Sequence, residues 1–240
     1  MSGIEPSFWS DLGRAAAVWR RMPWLPAMSV GLGAASLLPE ELALLSLAIM
    51  VINAGWFGTE RICYLRAFRG QSITAPELGR FTRAFIMRYA VLGLIVVVPF
   101  VLLLLPAFLD TRSEGPRTDL LVAMVILITI VDLALTFVTP ALAFSTRRVR
   151  GAIGIGLRMI RSEWPRSAWY ILVPPLTVVF VGQTISRVTD VGIAGQAFAG
   201  VLAPLVNLWF KGATAAFYLR RHEVGDDGAA FEERHQTQPF

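Results

Sequence analysis

The chain has 240 residues, of which 55% are hydrophobic and only 16% are charged, and its mean hydropathy is +0.59. Soluble domains carry about 25% charged residues, so this composition argues against an ordinary soluble domain and indicates a membrane domain. The net charge of +5 would also fit nucleic-acid binding, but the arginines stand between apolar runs rather than on one polar face, so no nucleic-acid partner is predicted.

Six apolar runs follow one another along the chain, and each predicts a membrane-spanning helix. They cover residues 22–38, 42–65, 84–109, 120–145, 168–188 and 196–219. Runs of this length suit helices rather than barrel strands, because a helix satisfies its own backbone in lipid. The predicted fold is therefore all-α and polytopic, with one six-helix membrane domain over residues 1–222 and a flexible cytoplasmic tail over 223–240.

An amphipathic stretch precedes each pair of spans, which predicts three hairpins, each preceded by a cytoplasmic amphipathic helix lying in the headgroup plane. Packing on the bundle, or simple extension of the next span, are the alternatives. The three apolar faces are Phe8, Leu12, Ala15, Ala16 and Trp19; Leu78, Phe81, Phe85 and Tyr89; and Val149, Ile153, Leu157, Ile160 and Trp164.

Arginines are concentrated in alternate loops, and this asymmetry predicts the orientation of the chain. Because positive loops stay on the cytoplasmic side, both termini are predicted in the cytoplasm of a bacterial cell, with the spans in its inner (plasma) membrane. Contacts to anionic lipid headgroups are predicted for Arg14, Arg20, Arg21, Arg80, Arg83, Arg150, Arg158 and Arg161.

An internal repeat relates the second span to the sixth. Asn53 is followed five residues later by glycine and eleven residues later by a Tyr-Leu-Arg triplet, and Asn207 is followed by the same residues at the same offsets. Asp132 occupies a comparable depth in the fourth span. We therefore predict three parallel repeats around an axis along the membrane normal.

Polar residues inside spans are the candidate functional residues, because they are costly in lipid. They are Asp132, Lys211, Asn53 and Asn207. One hypothesis pairs Asp132 with Lys211 across the bundle. The alternatives are a protonated Asp132 bonded to an asparagine, and a Lys211 that snorkels to the interface; the two asparagines can also act as interhelical hydrogen-bond partners.

No catalytic or metal-binding constellation is recognisable, so no enzyme activity, metal or cofactor is predicted. The two histidines, His222 and His235, stand at the C-terminal end, and the lone cysteine, Cys63, lies in an apolar run. An enzyme acting on lipids would need titratable groups at the inner interface, where Glu60, Arg61 and Glu163 are the candidates.

The segment from Thr139 to Phe144, which reads Thr-Pro-Ala-Leu-Ala-Phe, leads into Ala152, Arg158 and Trp164. With six spans and a basic amphipathic stretch before each hairpin, the chain resembles the membrane domain of bacterial glycerophosphodiester phosphodiesterases and related stand-alone six-helix proteins of unknown function. The resemblance implies a six-helix fold. The catalytic barrel of the fused enzymes is absent, so no catalytic residue carries over.

Two functions follow from these features as hypotheses. The first is a non-enzymatic scaffold or accessory subunit of a membrane complex that contacts anionic lipid; its partners are lipids, other membrane proteins or a second copy of the chain. The alternative is a small transporter or permease subunit with Asp132 and Lys211 in the pathway.

Overall fold

The structure, a computed structural model, describes residues 7–34, 40–109, 118–188, 195 and 198–222. Within these ranges 89% of the residues are helical and none forms a strand, which confirms the predicted all-α class. The predicted C-terminal tail, 223–240, lies outside the described residues.

Eight α-helices follow in chain order within the described ranges, and each predicted span overlaps one of them. A short 3-10 turn, Glu40–Leu42, precedes the third helix, and a π-helical turn, Phe198–Leu202, leads into the last. The helices are α1 (Phe8–Arg21), α2 (Trp24–Ala34), α3 (Ala43–Phe68), α4 (Ala75–Leu109), α5 (Thr118–Phe144), α6 (Val149–Ser162), α7 (Ala168–Val188) and α8 (Ala203–His222).

The second amphipathic stretch is not a separate helix, which corrects the prediction of one before each hairpin. Proline separates the first and third stretches from their spans, at Pro23 after α1 and Pro165 after α6. No proline stands between Pro76 and Pro99, so α4 runs without a break from the stretch into the span. The start of α4 is fixed by Glu77, whose carboxylate accepts hydrogen bonds from the Thr74 backbone N–H and hydroxyl at 2.9 and 2.8 Å.

One helix of the described part, over Ala75–Pro99, is long and apolar enough to cross a membrane. Shorter apolar helices cover Trp24–Ala34, Thr129–Phe144 and Ala168–Thr177. The 11 residues of α2 rise about 16 Å, which is less than the roughly 30 Å hydrocarbon core. Six complete spans therefore stay a prediction.

Helices α3, α5 and α8 contact one another in pairs and form the centre of the bundle. Each carries one amphipathic stretch from elsewhere in the chain: α1 packs on α8, the first turns of α4 pack on α3, and α6 packs on α5. The first helix thus closes a ring with the last. This is the packing that three repeated units around one axis require, and the triplication itself stays a prediction.

Glycines allow the closest of these helix contacts. A Cβ at Gly58 would lie 2.4 Å from the Phe85 ring of α4, one at Gly212 would lie 2.5 Å from the Tyr64 ring, and one at Gly156 would lie 2.6 Å from the backbone of Val138. A side chain at any of these positions would push two helices apart.

The predicted apolar faces of the amphipathic stretches are buried to different extents. In α4 the aromatic residues Phe81, Phe85 and Tyr89 are all buried, which is the packing on the bundle given above as an alternative. In the third stretch Val149, Ile153 and Ile160 of the predicted face pack against the core, while Leu157 and Trp164 are exposed. The most buried residues of α6 are Ala152, Gly156 and Met159, and the small ones let α6 lie close to α5.

Candidate functional site: a polar cavity between α2, α3 and α8

A cavity of about 230 Å³ opens between α2, α3 and α8. Polar side chains from all three helices line it, together with the small residues Gly33 and Ala203. Its lining residues are Ser29, Gly33, Asn53, Phe57, Glu60, Ala203, Pro204, Asn207 and Lys211. Since a water molecule occupies about 30 Å³ of liquid, the cavity has room for a small solute.

Glu60 is the centre of the polar contacts in this cavity. Its side chain comes from α3 and is only 3% exposed. One carboxylate oxygen accepts a hydrogen bond from the Ser29 hydroxyl of α2 at 2.7 Å, and the other accepts one from the Lys211 ammonium of α8 at 2.7 Å. The Trp56 indole N–H, one turn before Glu60, donates to the Ser29 oxygen at 3.0 Å. Three helices are therefore joined at one carboxylate.

Lys211 makes two favourable contacts that offset its burial. Besides the ion pair with Glu60, its ammonium lies 3.7 Å from the centre of the Phe57 ring, which is cation–π geometry. The two charges cancel, so the cavity is polar but close to neutral. Breaking such a pair leaves one uncompensated charge, which is costly away from water.

Two asparagines supply the remaining hydrogen-bonding capacity. Asn53 and Asn207 line the same cavity, and neither side chain makes a hydrogen bond within the described part of the chain. Each amide offers two donors and one acceptor oxygen. A small molecule in the cavity would therefore meet amide groups as well as the ion pair.

Three of the four polar residues singled out in the sequence meet in this cavity: Asn53, Asn207 and Lys211. Asp132 lies in α5, but its side chain is outside the described residues, so its role stays a prediction. Lys211 is engaged by Glu60, a residue that the sequence analysis considered only as an interfacial group. Glu60 is buried between α2, α3 and α8, and its depth in a membrane stays a prediction.

The other titratable candidates for lipid chemistry have separate contacts. Arg61 is buried and points away from the cavity's lysine, donating to the Phe57 carbonyl at 3.1 Å and to the Thr139 hydroxyl of α5. Glu163 follows α6 and pairs with Arg221 at 3.1 Å. Within the described ranges, no group of three or more His, Cys, Asp or Glu residues could hold a metal ion.

A second buried polar cluster joins the first helix to the last. Asp11 of α1 is fully buried. It accepts two hydrogen bonds from Arg220 of α8 and one from the Tyr170 hydroxyl of α7 at 2.5 Å. Burial of Arg220 lowers its pKa, but the hydrogen bonds and charge of Asp11 outweigh that effect, so the pKa lies above its ordinary value.

The eight arginines predicted to contact lipid are all exposed on α1, α4 and α6 or beside their ends. Their exposure leaves the predicted lipid contacts sterically possible and does not test them.

No protein-family model, characterised protein or solved structure matches this chain. The resemblance to the membrane domain of glycerophosphodiester phosphodiesterases therefore stays a prediction, and the cavity has to be interpreted from its own residues.

Proposed function

We propose that the chain is a six-span protein of a bacterial inner membrane with both termini in the cytoplasm. The proposal is supported by large apolar side chains that stay exposed along helices away from the arginine-rich ends, as lipid-facing residues do. Examples are Leu44, Leu47 and Met50 in α3, Leu94, Val97 and Leu102 in α4, and Leu172, Leu176 and Phe180 in α7.

Cysteine labelling tests this topology. Cys63 is fully buried, so an introduced cysteine should dominate the signal in intact cells. Ser113→Cys, between α4 and α5, should react with a membrane-impermeant maleimide from outside. Gly70→Cys, between α3 and α4, should react only after the cells are opened. Labelling of position 113 only in opened cells would reverse the proposed orientation.

Within that membrane, we propose that the protein is a small transporter or permease subunit that binds its solute in the cavity. The observation that carries this proposal is the Glu60–Lys211 pair beside two asparagine amides without hydrogen-bond partners in the described part of the chain. Ionisable residues inside a membrane domain are expensive and usually functional. A bundle that served only as a scaffold could pack apolar side chains at these positions without losing stability.

The chemistry of the cavity favours a small neutral or zwitterionic solute. A solute with a net charge would leave an uncompensated charge beside a pair that is already balanced. Amide donors and acceptors from Asn53 and Asn207 can bind hydroxyl, amide or carboxylate groups of the solute.

Uptake by proteoliposomes tests this function. Glycerol, as a neutral probe, and glycine, as a zwitterionic probe, should enter vesicles that contain the protein faster than empty vesicles, measured by light scattering after an osmotic step. Lys211→Met should remove the difference. Glu77→Gln, which changes a carboxylate far from the cavity, is the matched control and should retain it. Equal rates for both probes in all vesicles would contradict transport of these two solute classes.

The second candidate is the scaffold or accessory subunit, which the exposed arginines of α1, α4 and α6 favour. It predicts protein partners that co-purify in mild detergent and an association that Arg80→Gln and Arg150→Gln weaken. Co-purification together with inactive proteoliposomes would favour the scaffold over the transporter.

A further inference from the structure

A second and larger depression lies at the end of the bundle where α1 begins and α8 ends. We call it the inner groove. Its volume is about 680 Å³, within the range of small-molecule sites. It is lined by residues at the start of α1, around the start of α7 and near the end of α8. They are Ser7, Phe8, Trp9, Pro165, Arg166, Trp169, Tyr170, Phe217, Arg220 and Arg221.

The inner groove has a cationic rim. Arg166, Arg220 and Arg221 line it, and none of its lining residues within the described ranges is acidic. Carboxylates hold two of these guanidinium groups in place. Arg220 contacts the buried Asp11, and Arg221 pairs with Glu163 at 3.1 Å. The rim is therefore preorganised, and its arginines have the planar donor geometry that suits phosphate oxygens.

The floor of the inner groove is aromatic. The Tyr170 and Phe217 rings pack at 4.4 Å between centres, and Phe8 packs on Tyr170 at 5.0 Å. The indoles of Trp9 and Trp169 remain exposed at its edge. Exposed indoles beside arginines are typical of the boundary between headgroups and acyl chains.

An exposed apolar stripe on α7 continues from the inner groove. Trp169, Leu172, Leu176 and Phe180 follow one another at helical spacing, and all four are exposed. From Trp169 to Phe180 the helix rises about 16 Å, which is roughly the depth of one leaflet of a 30 Å hydrocarbon core. We call these four residues the α7 stripe. A free phosphate ion would contact the arginines alone, whereas a phospholipid would also contact this stripe.

We propose that the inner groove and the α7 stripe together bind one anionic phospholipid, with its phosphate at the arginine rim and an acyl chain along α7. The proposal rests on the membrane location proposed above, but not on solute transport. It differs from general contacts of surface arginines with the membrane, because it places one lipid at one site. Basic pockets between membrane helices on the cytoplasmic side suit such headgroups.

Tryptophan quenching measures this binding directly. The full-length protein in a neutral detergent is titrated with phosphatidylglycerol that carries bromine in its acyl chains, and with phosphatidylcholine that carries the same chains. Phosphatidylglycerol should quench at about tenfold lower concentration. Trp169→Phe should reduce the amplitude of quenching without changing the concentration at its midpoint.

Matched arginine variants separate the groove from the general surface. Arg166→Gln should weaken phosphatidylglycerol binding by about tenfold, the factor that corresponds to one charge-assisted hydrogen bond. Arg148→Gln removes an exposed arginine at the start of α6 that does not line the groove, and it should have no effect. Arg220 is unsuitable for this purpose, because its loss would leave Asp11 buried without its cation. Unchanged thermal midpoints of both variants establish that they are folded.

Three results would overturn the proposal. Equal binding of the two lipids would show that the rim does not select a headgroup with a net negative charge. Equal loss in Arg148→Gln and Arg166→Gln would show diffuse attraction instead of a site. Displacement of the lipid by 10 mM inorganic phosphate would identify a phosphate site. Solubility of the protein without detergent would instead contradict the membrane location, so the two failures are distinguishable.

Discussion

Removing one charge of the Glu60–Lys211 pair should destabilise the protein. Removing both charges should cost less than the sum of the two single losses. Lys211→Met takes away the cation and leaves the buried Glu60 carboxylate with the Ser29 hydroxyl alone. Glu60→Gln keeps an acceptor for Ser29 but leaves the ammonium facing an amide. The double variant Glu60→Gln/Lys211→Met has neither charge.

The structure sets the size of these effects. Removing one partner from a buried pair costs about 3–5 kcal/mol. Glu60 is 3% exposed at its side chain, whereas Lys211 is 17% exposed and also contacts the Phe57 ring. We therefore expect a loss of about 3 kcal/mol for Lys211→Met and about 2 kcal/mol for Glu60→Gln. The double variant should lose about 2 kcal/mol, which gives a coupling of about 3 kcal/mol.

Thermal unfolding in one detergent, followed by tryptophan fluorescence, measures all four proteins. For a chain of this size each kcal/mol corresponds to about 2–4 °C, so Lys211→Met should unfold about 6–12 °C below the parent. The control cycle uses Arg66 and Glu77, whose 3.4 Å pair lies near the surface and should couple by less than about 1 kcal/mol.

Additive single effects, within about 0.5 kcal/mol, would refute this reasoning. They would mean that solvent screens the two charges and that the cavity does not hold them as a pair. A double variant less stable than either single variant would refute it as well, because the remaining charge would then not be the source of the loss.

Two further pairs of variants test the packing of the bundle. Gly212→Ala should lower stability by about 1–3 kcal/mol, because its Cβ would lie 2.5 Å from the ring of Tyr64. The Cβ of Gly13→Ala would meet nothing within 4 Å, so this variant should raise stability by up to about 1 kcal/mol. Equal effects of the two variants on stability would contradict the tight contact at Gly212. Asp11→Asn should cost about 3 kcal/mol and Tyr170→Phe about 1 kcal/mol, and the reverse order would show that the buried charge at position 11 contributes little.

Apolar periodicity was sufficient to predict the helices, because each needs a long run to bury or to face lipid. It could not predict that α4 is continuous with the stretch before it. That outcome depends on the absence of a proline between Pro76 and Pro99, a local signal that the predicted architecture did not use. The third apolar face was predicted in part: Val149, Ile153 and Ile160 pack against the core, whereas Leu157 and Trp164 are exposed.

The candidate site was predicted in part. Asn53, Asn207 and Lys211 were predicted as functional residues because they are polar and lie inside predicted spans. In the structure all three line one cavity. Glu60 was missed as a partner because it stands close in sequence to the arginines at the end of its span. The repeat contained the missing signal: aligned on its Tyr-Leu-Arg triplets, it puts Lys211 only one turn from the level of Glu60.

The same alignment shows which residues the two repeats share and which residues differ between them. Where it pairs Asn53 with Asn207 and Gly58 with Gly212, it also pairs Phe57 with Lys211 and Glu60 with Thr214. The shared glycines let helices pack closely in a ring, and the shared asparagines line the cavity. The residues that differ supply the two charges, and both charges belong to the α3–α8 interface. If the interfaces of the ring served only for packing, none of them would need an ion pair. The Glu60–Lys211 pair, which departs from the repeat, therefore argues that the α3–α8 interface has a function besides packing.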